Sequence, residues 1–205
     1  MKSGRYTAGV ATHYPPATVL TAGATHQALA EGFTIGMRFH SAPVVRLADA
    51  KPVQLGHVAK ADGRFRIYVF AGSGDPAAAT SPVRALCDFL NESPKSPVKR
   101  YTPAGADIDS VIDVRAVYRQ AHTELAIAAM SPLLLPSKGR YGLRDYEKMF
   151  FPDLRGGQDI FTMRGIDRNG GMVVVRPDQY VAHVLPLDGH AELESYFDGF
   201  MLRAD

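Results

Sequence analysis

From residue 57 onward the hydrophobic period of the chain switches between two residues and 3.6. In RFRIYVF, Phe65, Ile67 and Val69 alternate with Arg64, Arg66 and Tyr68, the pattern of a strand. HVAK precedes it, and Asp62-Gly63 between them predicts a hairpin turn. Ser81 and Pro82 then suit the N-cap and first position of a helix, and Val83, Leu86, Cys87 and Leu90 form its apolar stripe. NESPKSP ends that helix. SVIDVRAVY, residues 110–118, predicts the next strand, and residues 122–150 read as helical pieces split by Pro132, Pro136 and Gly139. QDIFTMRGID reads as a short strand leading into an RNGG turn.

VVVRPDQYVAHVLPL, residues 173–187, predicts two strands about a tight turn. Val173, Val174 and Val175 are β-branched, Pro177 presets φ for the turn, Asp178 suits the next position, and a strand resumes from Gln179 to Leu185. Both faces are largely apolar, as expected of a sheet covered on both sides. The last pattern is helical: Leu193, Tyr196, Phe197, Phe200 and Met201 share one side of HAELESYFDGFML. Asp188 is the expected N-cap, with Glu192 and Glu194 near the positive end of the helix dipole.

The order is therefore strand, strand, helix, strand, helices, hairpin, helix. A β-α-β half followed by a β-β-α half is the thioredoxin-like arrangement. It predicts an α/β domain over residues 51–205, with a central mixed sheet and flanking helices. Residues 1–50 are rich in Gly, Pro, Thr and Ala and predict an extended N-terminal arm. The arm carries GFTIGMRF and APVVRL, whose apolar side chains must lie against something.

Composition narrows the classes. Of the 205 residues, 46% are hydrophobic, enough for a full core and too many for global disorder. The net charge of +2 comes from 23 basic and 21 acidic residues, and no basic run suggests nucleic acid. The single cysteine, Cys87, excludes an intrachain disulfide, a CxxC pair and a cysteine-rich zinc site, and fits a reducing compartment. The N-terminus lacks the apolar core of a secretory signal, and the longest apolar run, Leu125 to Leu135, is interrupted by Ser131 and Pro132. A soluble, cytoplasmic protein without membrane contact is expected.

Each chemical candidate meets a plainer alternative. Cys87 lies on the apolar stripe of its helix, one and a half turns past the start, where a buried small hydrophobe is expected. AGSGDPA, residues 71–77, matches G-x-G-x-x-A between a strand and a helix. Asp75, however, sets a negative charge where a phosphate would sit, and Pro76 removes an N–H. The histidines (His13, His26, His40, His57, His122, His183 and His190) form no HxH or HExxH pattern, and His183 among apolar neighbours reads as a packed histidine. No GxSxG is present. GRYGLRDYEKMFFPD, residues 139–153, has the Arg, Tyr and Phe content of a protein interface, set against a solvated helix face with ordinary core aromatics. No catalytic, cofactor-binding or metal residue is assigned.

Several blocks carry a resemblance. MRFHSAPVVRLADAKPVQLGHVAKADGRFRIYVFAG, GLRDYEKMF, RGID, VVVRPDQYVAHVLPL and the early SGRYTAG resemble, in order, the C-terminal part of flavin-dependent aromatic hydroxylases of the phenol 2-monooxygenase and 3-hydroxybenzoate 4-hydroxylase type. The resemblance spans nearly the whole chain. It implies a thioredoxin-like domain without redox chemistry that packs on catalytic domains and contributes to dimerisation. The partner implied is a second copy or a flavoprotein catalytic domain. FAD and NADPH are implied for an enzyme of the parent type, with their binding motifs upstream of Met1 and none in this chain. It also implies that Arg176-Pro177-Asp178 is a scaffold turn. Two other readings stand beside it: a monooxygenase component sharing FAD with another chain, and a thiol oxidoreductase based on Cys87.

Overall fold

Seven strands form one mixed sheet in the order Pro52–Gln54, Pro43–Arg46, Met149–Pro152, Ile112–Val117, Phe65–Phe70, Gly171–Val175 and Val181–Leu185, and a separate ribbon pairs Ser137–Lys138 with Leu143–Arg144. The computed structural model describes residue 9, residues 11–16, 21–121 and 123–203. The SGRYTAG stretch before Gly9 and His122 lie outside the described residues. The strands are β1 (Pro43–Arg46), β2 (Pro52–Gln54), β3 (Phe65–Phe70), β4 (Ile112–Val117), β5 (Ser137–Lys138), β6 (Leu143–Arg144), β7 (Met149–Pro152), β8 (Gly171–Val175) and β9 (Val181–Leu185). Among the described residues four α-helices accompany them: α1 (Pro82–Glu92), α2 (Pro97–Tyr101), α3 (Ile160–Met163) and α4 (His190–Asp198).

The core of the sheet follows the expected halves. β3 and β4 are parallel and joined through α1 and α2, β8 runs antiparallel to β3, and β9 closes a hairpin on β8. This is the thioredoxin-like arrangement. β7 adds parallel to β4, and β1 and β2 extend that side in antiparallel fashion.

Alternation along β3 divides the interior. Ile67 and Val69 join Val114, Ala116, Met172 and Val174 on one face, beneath the buried stripes of α1 and α4. Tyr68 and Phe70 point to the other face, with Phe33, Phe39 and Phe161. There Phe39 stacks between Phe33 and Tyr68, at ring separations of 4.6 and 4.5 Å. The arm thus supplies the second cover that a two-sided apolar sheet demands. It also fills the free edge of β9: Ala22 N–H donates to Ala182, Gly36 N–H to Val181, and Val181 N–H to Met37. The boundary expected at residue 50 falls in the turn between β1 and β2.

Local signals held where cap and stripe agree. The Ser81 hydroxyl accepts from Arg84 N–H at 3.4 Å, and Val83, Leu86, Cys87 and Leu90 are all buried. Ser96, inside the stretch expected only to end α1, caps a second short helix, α2. The β8–β9 turn turns on Gln179, which takes φ +68°, so the second strand starts at Val181 and the register slips between Val174 and Val175. At α4 the cap position is Gly189, whose carbonyl accepts from Leu193 N–H, in place of Asp188.

Three expectations are corrected. HVAK is not a strand: Leu55–Val58 forms a 3-10 turn. β3 already has β4 on one side and β8 on the other, so no ladder edge remains for it. The segment expected as helical pieces over 122–150 forms no α-helix among its described residues, 123–150: 3-10 turns at Ile127–Ala129 and Pro132–Leu134 lead into β5, β6 and β7. Each Pro blocks helix continuation, and pairing of β7 with β4 and β1 outweighs local propensity. QDIFTMRGID is a helix start: the Asp159 carboxylate accepts from Thr162 N–H at 2.8 Å, and Ile160 and Phe161 are buried.

One polar cluster is built into this interior. Lys148, just before β7, donates from Nζ to Asp113 Oδ1 at 2.6 Å and to Asp109 Oδ2 at 2.5 Å, and all three are buried. Asp113 Oδ2 accepts from Arg115 Nε at 2.8 Å, and Arg66 Nε lies 3.8 Å away. Burial pushes the Asp109 carboxyl up, but Lys148 and Lys138 outweigh it and hold it at about 2. Burial likewise opposes ionisation of Asp113, and Arg115 and Lys148 hold it below its ordinary value.

Lys148→Ala would leave a buried carboxylate without its main cation and is expected to cost about 3–5 kcal/mol in urea unfolding. The carboxylates give a pH dependence of definite sign. Their folded pKa values lie below the unfolded ones, so their stabilisation is complete above the ordinary carboxyl range. It should be lost progressively as pH falls from about 4 toward 2 in unfolding measured by circular dichroism.

Candidate interaction surface

The C-terminal end of β3, where open α/β sheets usually hold ligands, is closed by its own polar groups. AGSGDPA forms the loop from β3 to α1 around a cleft of about 200 Å³, lined by Gly72, Ser73, Gly74, Ser81, Arg168 and Asn169 among others. Asp75 Oδ1 accepts from Ala77 N–H at 2.9 Å, and Gly74 C=O accepts from Gln120 Nε2 at 2.9 Å. The Ser81 hydroxyl occupies the first turn of α1. A carboxylate at the loop, a proline without N–H and a cleft of this size do not fit a flavin dinucleotide.

Cys87 sits in the core beneath α1. Burial pushes its thiol up to about 12, against a smaller opposing effect of the Ser131 hydroxyl, so at neutral pH it is not a thiolate nucleophile. His183 is buried on β9, its ring edge-on to Tyr196 at 5.4 Å. Burial pulls its pKa down, opposed by Glu192. The Glu192 carboxylate lies 3.3 Å from His183 Nε2 and 3.0 Å from His26 Nε2, so it ties the arm to α4. Among the described residues no group of three His, Cys, Asp or Glu could hold a metal ion.

The surface that stands out lies at the opposite end. GRYGLRDYEKMFFPD divides into a buried half and an exposed half. Met149, Phe150, Phe151 and Pro152 are buried in β7, whereas Tyr141 and Leu143 keep 74% and 70% of their surface exposed. Exposure of this degree on neighbouring large side chains makes the segment a candidate contact surface. The carrier is a hairpin, not the helix face weighed from sequence. Gly139 and Gly142 take φ +63° and +60°, with Gly142 N–H donating to Gly139 C=O, which puts Arg140 and Tyr141 at the tip. Arg140 lies over the Tyr141 ring at 4.6 Å.

An isolated two-stranded ribbon is marginal in water, and this one is held at its base. Lys138 Nζ donates to Asp109 Oδ2 at 2.8 Å, Gly139 N–H to Asp107 Oδ1 at 2.9 Å, and Asp145 N–H to Pro136 C=O at 2.9 Å. Asp109 is the same carboxylate that receives Lys148, so the hairpin is anchored in the buried cluster. A second, smaller patch escaped the sequence reading. Leu154 keeps 66% exposure beside a cleft of about 360 Å³ lined by Val45, Ala50, Ala121 and Pro152. Its lining comes from three separate segments, residues 45–50, 121 and 152–155, which no local pattern joins.

Comparison with known proteins gives a family match. Residues 12–205 match the family model described as "Phenol hydroxylase, C-terminal dimerisation domain". The chain is 62% identical over 200 residues to 3-hydroxybenzoate 4-monooxygenase of Comamonas testosteroni, covering 97% of this chain and 31% of that protein. It is 32% identical over 207 residues to the FAD-dependent monooxygenase terD of Aspergillus terreus, covering 99% of this chain and 34% of that one. The chain thus spans about a third of the length of these relatives. Among solved structures, a thioredoxin-like protein from Aeropyrum pernix is similar at a TM-score of 0.46 and 14% identity, over 78% of this chain and 89% of that one.

The setting of Cys87 gives a direct test. A thiol reagent that labels the urea-unfolded chain at once should leave the native chain unlabelled at pH 7 over the same time, read by mass spectrometry. Fast native labelling would contradict the buried, protonated thiol.

Proposed function

We propose, from the premise that this chain belongs to the phenol hydroxylase C-terminal dimerisation domain family, that it is a non-catalytic support of a flavin-dependent aromatic monooxygenase. In this reading it holds two enzyme subunits together and packs on their catalytic domains. The observation that carries the reading is the family match, which runs from residue 12 to the last residue. Two physical features support it. The loop after β3 does not fit a flavin dinucleotide, and the thiol that a thioredoxin-like arrangement brings to mind is a core residue. FAD and NADPH belong, on this reading, to catalytic domains of the parent type, with a phenol or hydroxybenzoate as substrate, as the names of the relatives suggest. The reading includes a soluble cytoplasmic setting. It is supported by the lone buried Cys87 and by the finding that, among the described residues, no helix is long and apolar enough to cross a membrane.

A single experiment tests the core of this proposal. The chain is incubated with FAD and passed over a sizing column with light scattering and visible absorbance detection. The expected species has about twice the 22.2 kDa of one chain and carries no flavin absorbance. A monomer at every concentration would remove the dimerisation role. Co-eluting flavin would favour a component that shares FAD with another chain.

A further inference from the structure

We infer that the β5–β6 hairpin is the seat of a second copy of this chain, packed about a two-fold axis so that each hairpin tip lies against the flank of the other copy. The inference rests on the dimerisation reading above and names the surface that performs it.

The first ground is the kind of side chain at the tip. Arg140, Tyr141 and Leu143 are exposed side by side, and large aromatic and arginine side chains of this kind carry most of the binding energy where proteins meet. The second ground is stiffness. The tip is fixed by two glycine turn positions, and its base by Lys138 and Asp145, whose backbone and side-chain bonds run into the buried cluster. A pre-ordered surface loses little conformational entropy on contact.

The third ground selects the partner. Among the described residues Arg140 and Arg144 make no ion pair, so the tip carries two uncompensated positive charges. The flank beside it is the opposite. Arg46 serves both Asp49, at 2.7 Å, and Glu147, at 3.0 Å, and Asp107 accepts from the Gly139 backbone. With Lys51 beside Asp49, two cations and three carboxylates leave the flank with a net charge of −1 against +2 on the tip. An isologous contact brings residue i to j and j to i, so a second copy supplies flank to tip twice over. The surface is complementary in charge to itself.

The test uses the whole 205-residue chain in sedimentation equilibrium. Tyr141→Asp/Leu143→Asp is expected to weaken self-association by at least about 100-fold while its thermal unfolding stays that of the wild type, since both side chains are exposed. Leu154→Asp, on the other patch, should leave the dimer intact. Charge reversal gives a rescue that a misfolded variant cannot mimic. Arg140→Glu/Arg144→Glu and Asp49→Lys/Glu147→Lys should each dimerise poorly alone, and a mixture of the two should form the heterodimer. A folded Tyr141→Asp/Leu143→Asp chain that dimerises like the wild type, or a mixture that shows no rescue, overturns the assignment and leaves the dimerisation reading standing. A wild-type chain that is monomeric throughout overturns both.

Discussion

The Lys148 ammonium, held between Asp113 and Asp109, is the contact on which the rest of the structure leans. Removing charges from water costs several kcal/mol each, and the cost is recovered only when every charge meets a partner at short range. Here the partners come from separate parts of the chain: Arg66 on β3, Asp113 and Arg115 on β4, Asp109 ahead of β4, and Lys148 ahead of β7. Such a set closes only if β3, β4 and β7 lie in the observed order and register. The cluster therefore selects one arrangement of a sheet whose apolar strands would otherwise tolerate slippage.

The same cluster reaches the surface of the domain. Asp109 accepts from Lys148 inside the domain and from Lys138 at the base of the hairpin. The surface that projects from the N-terminal ends of β3 and β4 is thus mechanically continuous with the core. At the other end of these strands the loop of residues 71–81 spends its polar groups on itself, and Cys87 is buried among hydrophobic side chains. The arrangement separates an end whose loop is closed on itself from an end that exposes Tyr141 and Leu143. The family match and the absence of a flavin-sized cradle in that loop point the same way.

The N-terminal segment has a role that its composition conceals. Gly, Pro and Thr make it irregular, yet Phe33 and Phe39 cover Tyr68 and Phe70, and its backbone pairs with the outer edge of β9. An edge strand left open invites pairing with any other chain. Covering β9 from within removes that hazard, and the Glu192 carboxylate between His26 and His183 fastens the cover to α4.

The chain by itself determined what depends on neighbours in sequence. The cap at Ser81, the apolar stripe of α1, the strands β3 and β4, the β8–β9 hairpin, the closing helix and the burial of Cys87 all follow from spacing of a few residues, and so does the thioredoxin-like order. The Arg, Tyr and Phe content of residues 139–153 was legible in composition, though not its division into a buried strand and an exposed hairpin. Tertiary structure decided whatever depends on which strand finds which neighbour. HVAK lost its ladder because β4 and β8 already flank β3. The stretch from residue 123 to 150 became turns and strands because β7 pairs with β4 and β1, and the tip of the hairpin stayed exposed because its anchor, Asp109, is held elsewhere. Periodicity encodes which face of an element is apolar. It does not encode which distant charges must meet, and in this chain that meeting supports the sheet order and holds the base of the exposed hairpin.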